Sequence, residues 1–436
     1  MFKGAASTDS ALTFDEYQCT GNVETDFPEL CALLGVKNIP EVCTKSSTIT
    51  RSEGVDAEDK QDSPHWSVAQ INVELENKNP LSAKKITISG WKVNERIFRV
   101  LQKMLPSLSQ IASLQLWHAG LTDQMVASLA NTLPLCSSLR VVSLEGNVLQ
   151  DQSFHLLFTE SCVLTQLHLR CNRIGDEGAR LIGSALSTPT SANKNLVYLN
   201  LAFNWIGDAG AAHIAQGLRL NRTLLLLSLA NNMIGDLGAA HLAAILVDFP
   251  LTHEEIVERR KLTLQRIRAR PQSDSVQSPV KVVSEMDHKD TSRKQKQKES
   301  SRKNEKTTGK KETANTKIAD IEAEVGNPGK QLAKEDPSRS LNEAESEETE
   351  HLLLDKSVYS KDGQLFLPGH KLLTSLNLSG NRITEKSLPL FLNMLEMQEE
   401  KGRSLLRLRL QRNLFPEEHP TYLKIEEILA LRSPQI

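Results

Sequence analysis

Aromatic residues are scarce in this chain, at 4% of 436 residues, and none falls between Pro250 and Val358. Lys, Glu, Ser, Thr and Gln dominate that stretch. Such a segment buries too little apolar area to offset its ordering entropy, so disorder is expected for about 271–350. The six cysteines (Cys19, Cys31, Cys43, Cys136, Cys162, Cys171) form no Cys-x-x-Cys pair, and no His stands at metal spacing, which argues against a zinc site or a disulfide-stapled cap. No apolar run approaches the roughly 20 residues that span a bilayer, and the first ten residues lack the hydrophobic core of a secretion signal. With 52 Lys and Arg against 54 Asp and Glu, the formal net charge of −2 commits the chain to neither nucleic acid nor membrane. An intracellular protein with reduced thiols is the expectation. The nearest approach to a phosphate-binding loop, Gly326 to Lys330, has the wrong spacing. His118, His155, His168, His213 and His241 have no nucleophile partner in the pattern. No catalytic residue, cofactor, metal or small-molecule substrate is expected.

What the chain has is a phrase written seven times: Leu-x-x-Leu-x-Leu-x-x-Asn-x-Leu, with substitutions. The clearest copy is Leu164, Leu167, Leu169, Asn172, Ile174. Others run through Leu196 to Ile206, Leu224 to Ile234, Leu373 to Ile383 and Leu405 to Phe415. The Leu-x-Leu alternation reads as a short strand with one buried face. The Asn stands where the chain leaves the strand. Its amide and carbonyl can bond backbone of its own and the adjacent coil, which predicts a ladder of Asn147, Asn172, Asn204, Asn232, Asn381 and Asn413. A second phrase, Gly-Asp-x-Gly-Ala, follows at Gly175, Gly207 and Gly235. It places Asp176, Asp208 and Asp236 at expected helix N-caps, ahead of an apolar-periodic stretch.

The Asn spacing is 25 residues (147 to 172), then 32 (172 to 204), then 28 (204 to 232). Stepping back by 28 gives Ala119 and then Trp91, which keep the apolar frame and lose the Asn. The Trp91 unit is expected to be a terminal cap. These are leucine-rich repeats, and their unit length resembles the ribonuclease-inhibitor class. The expected fold is an α/β leucine-rich-repeat solenoid, a horseshoe of alternating short parallel strands and helices. It has a capping region over 1–80, a first repeat block over 81–251 and a charged helix over 252–270. A disordered insert over 271–358 and a second block with its C-terminal cap over 359–436 complete it. The insert splits one domain and adds little closure cost, because that entropy grows only logarithmically with length. Its basic run (Arg293 to Lys311) reads as a solvated linker or a contact for an acidic surface, and its lack of aromatics counts against single-strand nucleic-acid binding.

In a Leu-x-Leu strand the intervening residues point to the concave sheet face. One column is Gln115, Ser143, His168, Asn200, Ser228, Asn377, Arg409. The next is Trp117, Glu145, Arg170, Ala202, Ala230, Ser379, Gln411. Trp117 and Arg170 stand out because Trp and Arg dominate interface hot spots. Phe203 and Trp205 flank Asn204 at the strand exit. Partner-binding candidates are therefore Trp117, Glu145, His168, Arg170, Phe203, Trp205 and Arg409. Trp117 has a competing reading as an aromatic covered by the N-terminal cap, and Glu145 can simply pair with Arg170.

Several phrases outside the repeat consensus are more specific. They are Asp15-Glu-Tyr-Gln-Cys-Thr-Gly, Gly90-Trp-Lys-Val-Asn-Glu-Arg96, the run from Leu135 to Asn147, Leu218-Arg-Leu-Asn-Arg-Thr-Leu224, and Asp362-Gly-x-x-Phe-x-Pro-Gly-x-Lys371. They resemble leucine-rich-repeat proteins of motile cilia and sperm flagella. That resemblance implies a non-enzymatic scaffold in the axoneme, with axonemal or microtubule-associated protein partners. The alternatives are an activator-type regulator of a small GTPase, by analogy with repeat proteins of the same class, and an innate-immune ligand sensor, against which the absence of a nucleotide-binding module argues.

Overall fold

The computed structural model describes residues 13–46, 69–187, 193–269, 351–400, 402 and 405–432. The basic run of the insert and its acidic stretch from Glu343 to Glu350 lie outside the described residues. The described chain builds one ten-stranded sheet. Its strands are β1 (Glu41–Ser46), β2 (Gln70–Leu75), β3 (Ala83–Ser89), β4 (Ser113–Trp117), β5 (Val141–Ser143), β6 (Gln166–His168), β7 (Tyr198–Asn200) and β8 (Leu226–Ser228). Two more follow the insert, β12 (Ser375–Asn377) and β13 (Arg407–Arg409). All neighbours pair in parallel except β2 and β3. A parallel step needs a crossover, supplied by α2 (Glu95–Met104), α3 (Asp123–Thr132), α4 (Asp176–Ser187), α5 (Asp208–Leu218) and α6 (Asp236–Ala244). The chain is an α/β leucine-rich-repeat solenoid. In the shortest unit, the 25-residue one, a six-residue 3-10 turn over Ser153–Phe158 replaces the helix.

The insert does not interrupt the sheet. Leu376 of β12 pairs with Leu227 of β8 and Leu408 of β13 pairs with Leu376, so the column from Leu114 and Val142 through Leu167 and Leu199 continues without a break. All of these side chains are buried. The Asn ladder crosses with them. Asn204 donates Nδ2 to the Leu169 and Leu201 carbonyls at 2.9 Å each and accepts from the amides of Asn172 and Ile174 at 3.0 Å each. Across the insert, Asn381 donates to the Leu229 and Leu378 carbonyls and accepts the Ile234 amide at 3.1 Å. Asn413 does the same for Leu378, Leu410 and Ile383. Asn172 is the irregular rung: its Oδ1 accepts the Asn147 amide at 2.6 Å, while its Nδ2 has no partner.

A second ladder runs along the helix starts. Asp208 and Asp236 are the first residues of their helices, and the N-cap position belongs to Gly207 and Gly235, neither of which makes a side-chain cap bond. The aspartates do not cap their own helices as expected. Each reaches the next one. Asp176 accepts from Gly207 and Gly210 amides at 2.7 and 2.9 Å, and Asp208 accepts from Gly235 and Gly238 at 2.7 and 2.8 Å. Asp236 bridges the insert, accepting the Thr384 amide at 2.9 Å and the Ser387 hydroxyl. The carboxylate thus meets unsatisfied amides at the positive end of a neighbouring helix dipole. This explains the second Gly of the phrase. A Cβ at Gly210 would lie 2.5 Å from Asp176 Oδ1, and one at Gly238 would lie 2.8 Å from Asp208 Oδ1.

The edges of the interruption are tied together. After α6 the chain forms β9 (Phe249–Pro250) and then α7 (His253–Ala269). It returns through β10 (Tyr359–Lys361) and β11 (Gln364–Leu367), and β11 pairs antiparallel with both β9 and β10. Described structure resumes at residue 351, ahead of the expected boundary at 359, because Leu353 inserts into the core. Arg219 holds the junction: it pairs with the buried Glu255 at 2.7 Å, donates to the Pro250 carbonyl and lies 4.1 Å over the Phe249 ring. His370 is buried near Arg222. Its Nδ1 accepts the Leu373 amide, its Nε2 has no partner, and burial with nearby Arg222 pushes its pKa down to about 3.

At the front, β1, β2 and α1 (Val23–Leu33) cover the first repeat. Trp91, standing where later repeats have Asn, donates its indole N–H to the Gln70 carbonyl at 3.0 Å. The fully buried Asp26 accepts from the Thr20 and Gly21 amides and the Tyr17 hydroxyl, which accounts for much of the Asp15-to-Gly21 phrase. At the back, α8 (Leu388–Glu400) follows β12, and α9 (Pro420–Arg432) closes the core with Tyr422, Ile425 and Leu429.

Two outcomes follow for stability. Gly210→Ala should cost about 2 kcal/mol by overpacking against the Asp176 carboxylate, whereas Gly175→Ala, with nothing near its Cβ direction, should stay within about 0.5 kcal/mol of the parent in urea titrations. His370 gives a pH dependence with a definite sign. Its folded pKa of about 3 lies below the ordinary His value, so the unfolded chain binds the extra proton first. Its contribution is complete above about pH 6.5 and falls as pH drops toward the folded value. His370→Gln should therefore narrow the Tm difference between pH 7.5 and pH 5, read by thermal melting at the two pH values.

Candidate interaction surface

The sheet face opposite the helices carries the outward side chains of each strand and the residues where each strand ends. The residue before each ladder Asn adopts a left-handed backbone in every repeat: Gly146, Cys171, Phe203, Asn231, Gly380 and Arg412 all have φ between 54° and 73°. The turn out of the strand imposes this conformation. Gly or Asn adopts it at little cost, while a bulky side chain pays a steric penalty. Phe203 holds it at φ 57° and is 46% exposed. The next-but-one residue, Trp205, is 54% exposed.

Five of the seven expected site residues converge around these turns. Glu145 on the β5 exit meets Arg170 on the β6 exit at 3.7 Å, and the Arg170 guanidinium lies 5.1 Å over the Phe203 ring. Arg173 lies over the Trp205 ring at 5.4 Å. His168 packs edge-on to Tyr198 with ring centroids 5.0 Å apart. The Glu145–Arg170 pair is partly exposed and contributes well under about 1 kcal/mol. Trp117 stands one strand away on β4. It is 36% exposed, with its indole N–H donated to Ser143 Oγ at 2.7 Å, so the described residues of the N-terminal cap leave it partly open. Arg409 lies apart from the others, on the outermost strand β13.

Sequence reasoning tabulated two of the three outward columns and missed the first. It contains Gln166, Tyr198, Leu226, Ser375 and Arg407. Tyr198, Leu226, Ser228, Ser375, Asn377, Arg407 and Arg409 line a shallow concavity of about 220 Å³. The signal was present, since the residue just before the second Leu also faces outward. Conversely, Asn200, Ser228, Ala202, Ala230 and Ser379 are buried in spite of their outward position. They form a floor of small side chains between the Arg170 turn and the β13 arginines.

The chemistry here is that of contact. Burial lowers the His168 pKa and raises that of Tyr198. Burial pushes the Cys31 and Cys136 thiols up to about 11. Among the described residues no group of three or more His, Cys, Asp or Glu is placed to hold a metal, and no helix is long and apolar enough to cross a membrane.

Residues 160–183, 192–215 and 220–243 match a family described as Leucine Rich repeat, and 372–394 match a second described as Leucine Rich Repeat. The chain carries leucine-rich repeats. The matched segments coincide with the units built on β6, β7, β8 and β12. Repeats of this kind indicate a protein-interaction scaffold, and the exposed Arg–aromatic turns lie within those units.

Phe203 holds a left-handed conformation at an exposed turn where the next repeat has Asn231. Phe203→Asn, which copies the residue at this position in the next repeat, should raise stability by about 1 kcal/mol through relief of the left-handed penalty. Chemical denaturation of the two proteins side by side tests this, and a clear loss of stability would show that the ring is held for packing.

Proposed function

We propose that this protein is a non-enzymatic scaffold that docks other proteins on the outward face of its sheet and at the strand exits. The observation that carries the reading is the cluster of Arg170, Arg173, Phe203 and Trp205, in which guanidinium groups cover aromatic rings that stand about half exposed. Preformed Arg–aromatic pairs lose little side-chain entropy on binding, which favours them as anchors. The small-residue floor beside them gives an incoming segment close approach to backbone.

The place of action we propose is the axoneme of motile cilia and flagella, within the cytoskeleton, with axonemal or microtubule-associated partners. The support is the resemblance of the cap and return phrases to leucine-rich repeat-containing protein 71. Two of those phrases have structural duties. The Asp15-to-Gly21 phrase is organised around the buried Asp26, and the Asp362-to-Lys371 phrase forms the return strand and the His370 packing.

In a ciliated cell, a tagged chain is expected along the axoneme, and crosslinking of isolated axonemes should place partner contacts on β4 to β7 and their exits. Trp117→Ala combined with Arg170→Ala should reduce partner recovery at least tenfold while leaving the melting temperature within a few degrees. Diffuse cytoplasmic signal would remove the axonemal placement. Crosslinks confined to the helical side would remove the docking face.

A further inference from the structure

Charge is unevenly distributed over the outward face. From β4 to β13, the outward strand positions and the two residues flanking each ladder position carry six arginines: Arg170, Arg173, Arg382, Arg407, Arg409 and Arg412. They carry one carboxylate, Glu145. The chain as a whole has a formal charge of −2, so this is segregation onto one face and not general basicity. Glu145 is already engaged with Arg170. Arg382, Arg407, Arg409 and Arg412 are exposed and form no ion pair among the described residues. On the C-terminal cap, Glu426 accepts a hydrogen bond from Gln411 at 3.4 Å.

Between the two groups of arginines lies the shallow concavity floored by Leu226, Ser228 and Ser375, with Tyr198 on one side and Arg407 and Arg409 on the other. Four strand steps separate β6 from β13, or about 19 Å at about 4.8 Å per step. An extended chain covers that distance in roughly six residues. Resting on the scaffold reading above, we infer that this face takes an extended, Glu- or Asp-rich protein segment that carries one apolar or aromatic side chain. The carboxylates meet the forked guanidinium donors of β6 and β13 in paired hydrogen bonds, and the apolar side chain enters the concavity beside Tyr198 and Leu226. The isolated polyanionic backbone of a nucleic acid would use the arginines and leave the space beside Tyr198 and Leu226 unfilled.

The test uses the purified full-length chain and a fluorescein-labelled Glu-rich peptide with one central Phe, followed by anisotropy. The counterpart peptide has Gln in place of every Glu. The expected result is binding of the Glu peptide that weakens with added salt, little binding of the Gln peptide, and a Kd raised roughly tenfold by Arg407→Gln with Arg409→Gln. Replacing the central Phe with Gly should weaken binding as well. Equal binding of both peptides, or an unchanged Kd in the double variant, overturns the inference. Tighter binding of a poly(A) oligonucleotide than of the Glu peptide at the same salt overturns it in favour of a nucleic-acid face. Should the double variant melt early, Arg409→Gln alone decides by the same comparison. A native partner crosslinked to this face through a segment without acidic residues defeats this inference and leaves the scaffold reading standing.

Discussion

From β5 onward, a single side-chain amide at the strand exit ties neighbouring coils together. Every ladder Asn except Asn172 closes its own turn with one donor hydrogen and holds the previous coil with the other, while its oxygen receives amides that no strand or helix can satisfy. The side chain is buried, so a lost partner would leave polar backbone unpaired in the interior, at roughly 1–3 kcal/mol per group. The parallel register, the continuous apolar column and the close helix spacing all require this turn to be made the same way each time. The turn in turn demands a left-handed residue just before the Asn. That requirement explains why Gly, Asn and small or tolerated residues recur there, and why Phe203 is conspicuous.

The Asp ladder does for the helix side what the Asn ladder does for the strand side. Asp176, Asp208 and Asp236 each satisfy amides or hydroxyls at the start of the following unit. Both ladders pass from the unit of β8 to that of β12, although 147 and 148 residues of sequence separate their donors and acceptors. The two ladders are therefore continuous from one repeat block to the other. The two ends of the insert are held by β9 pairing with β11 and by the Arg219–Glu255 pair. Those contacts bring the ends together, so the remaining loop costs only slowly growing closure entropy.

Much of this was legible in the residues. Leu376, Leu378 and Asn381 repeat the phrase of Leu227, Leu229 and Asn232, and that sufficed to predict one sheet across the insert. Trp91 in an Asn position pointed to a terminal unit. What could not be read was anything set by a partner distant in sequence. Helix-start rules assign Asp208 to its own helix, and only the stacking of units shows it serving Gly235 and Gly238. The antiparallel β2–β3 pairing and the added β1 depend on packing of the cap, which no repeat pattern encodes. Of the contact face, Trp117, Arg170 and Phe203 were visible from position and residue type. Tyr198 and Arg407 required the third outward column. That Arg407 and Arg409 form no ion pair among the described residues required knowing what lies around them.

Parallel strands give the solenoid two unlike rims. One rim gathers the strand exits, with Phe203, Trp205 and the neighbouring arginines. The opposite rim gathers the turns that lead into strands, and the long insertion departs and returns there, between α6 and β12. The exits and the β9–β11 junction therefore sit at opposite ends of the strands, and a segment lying along the exits leaves that junction uncovered.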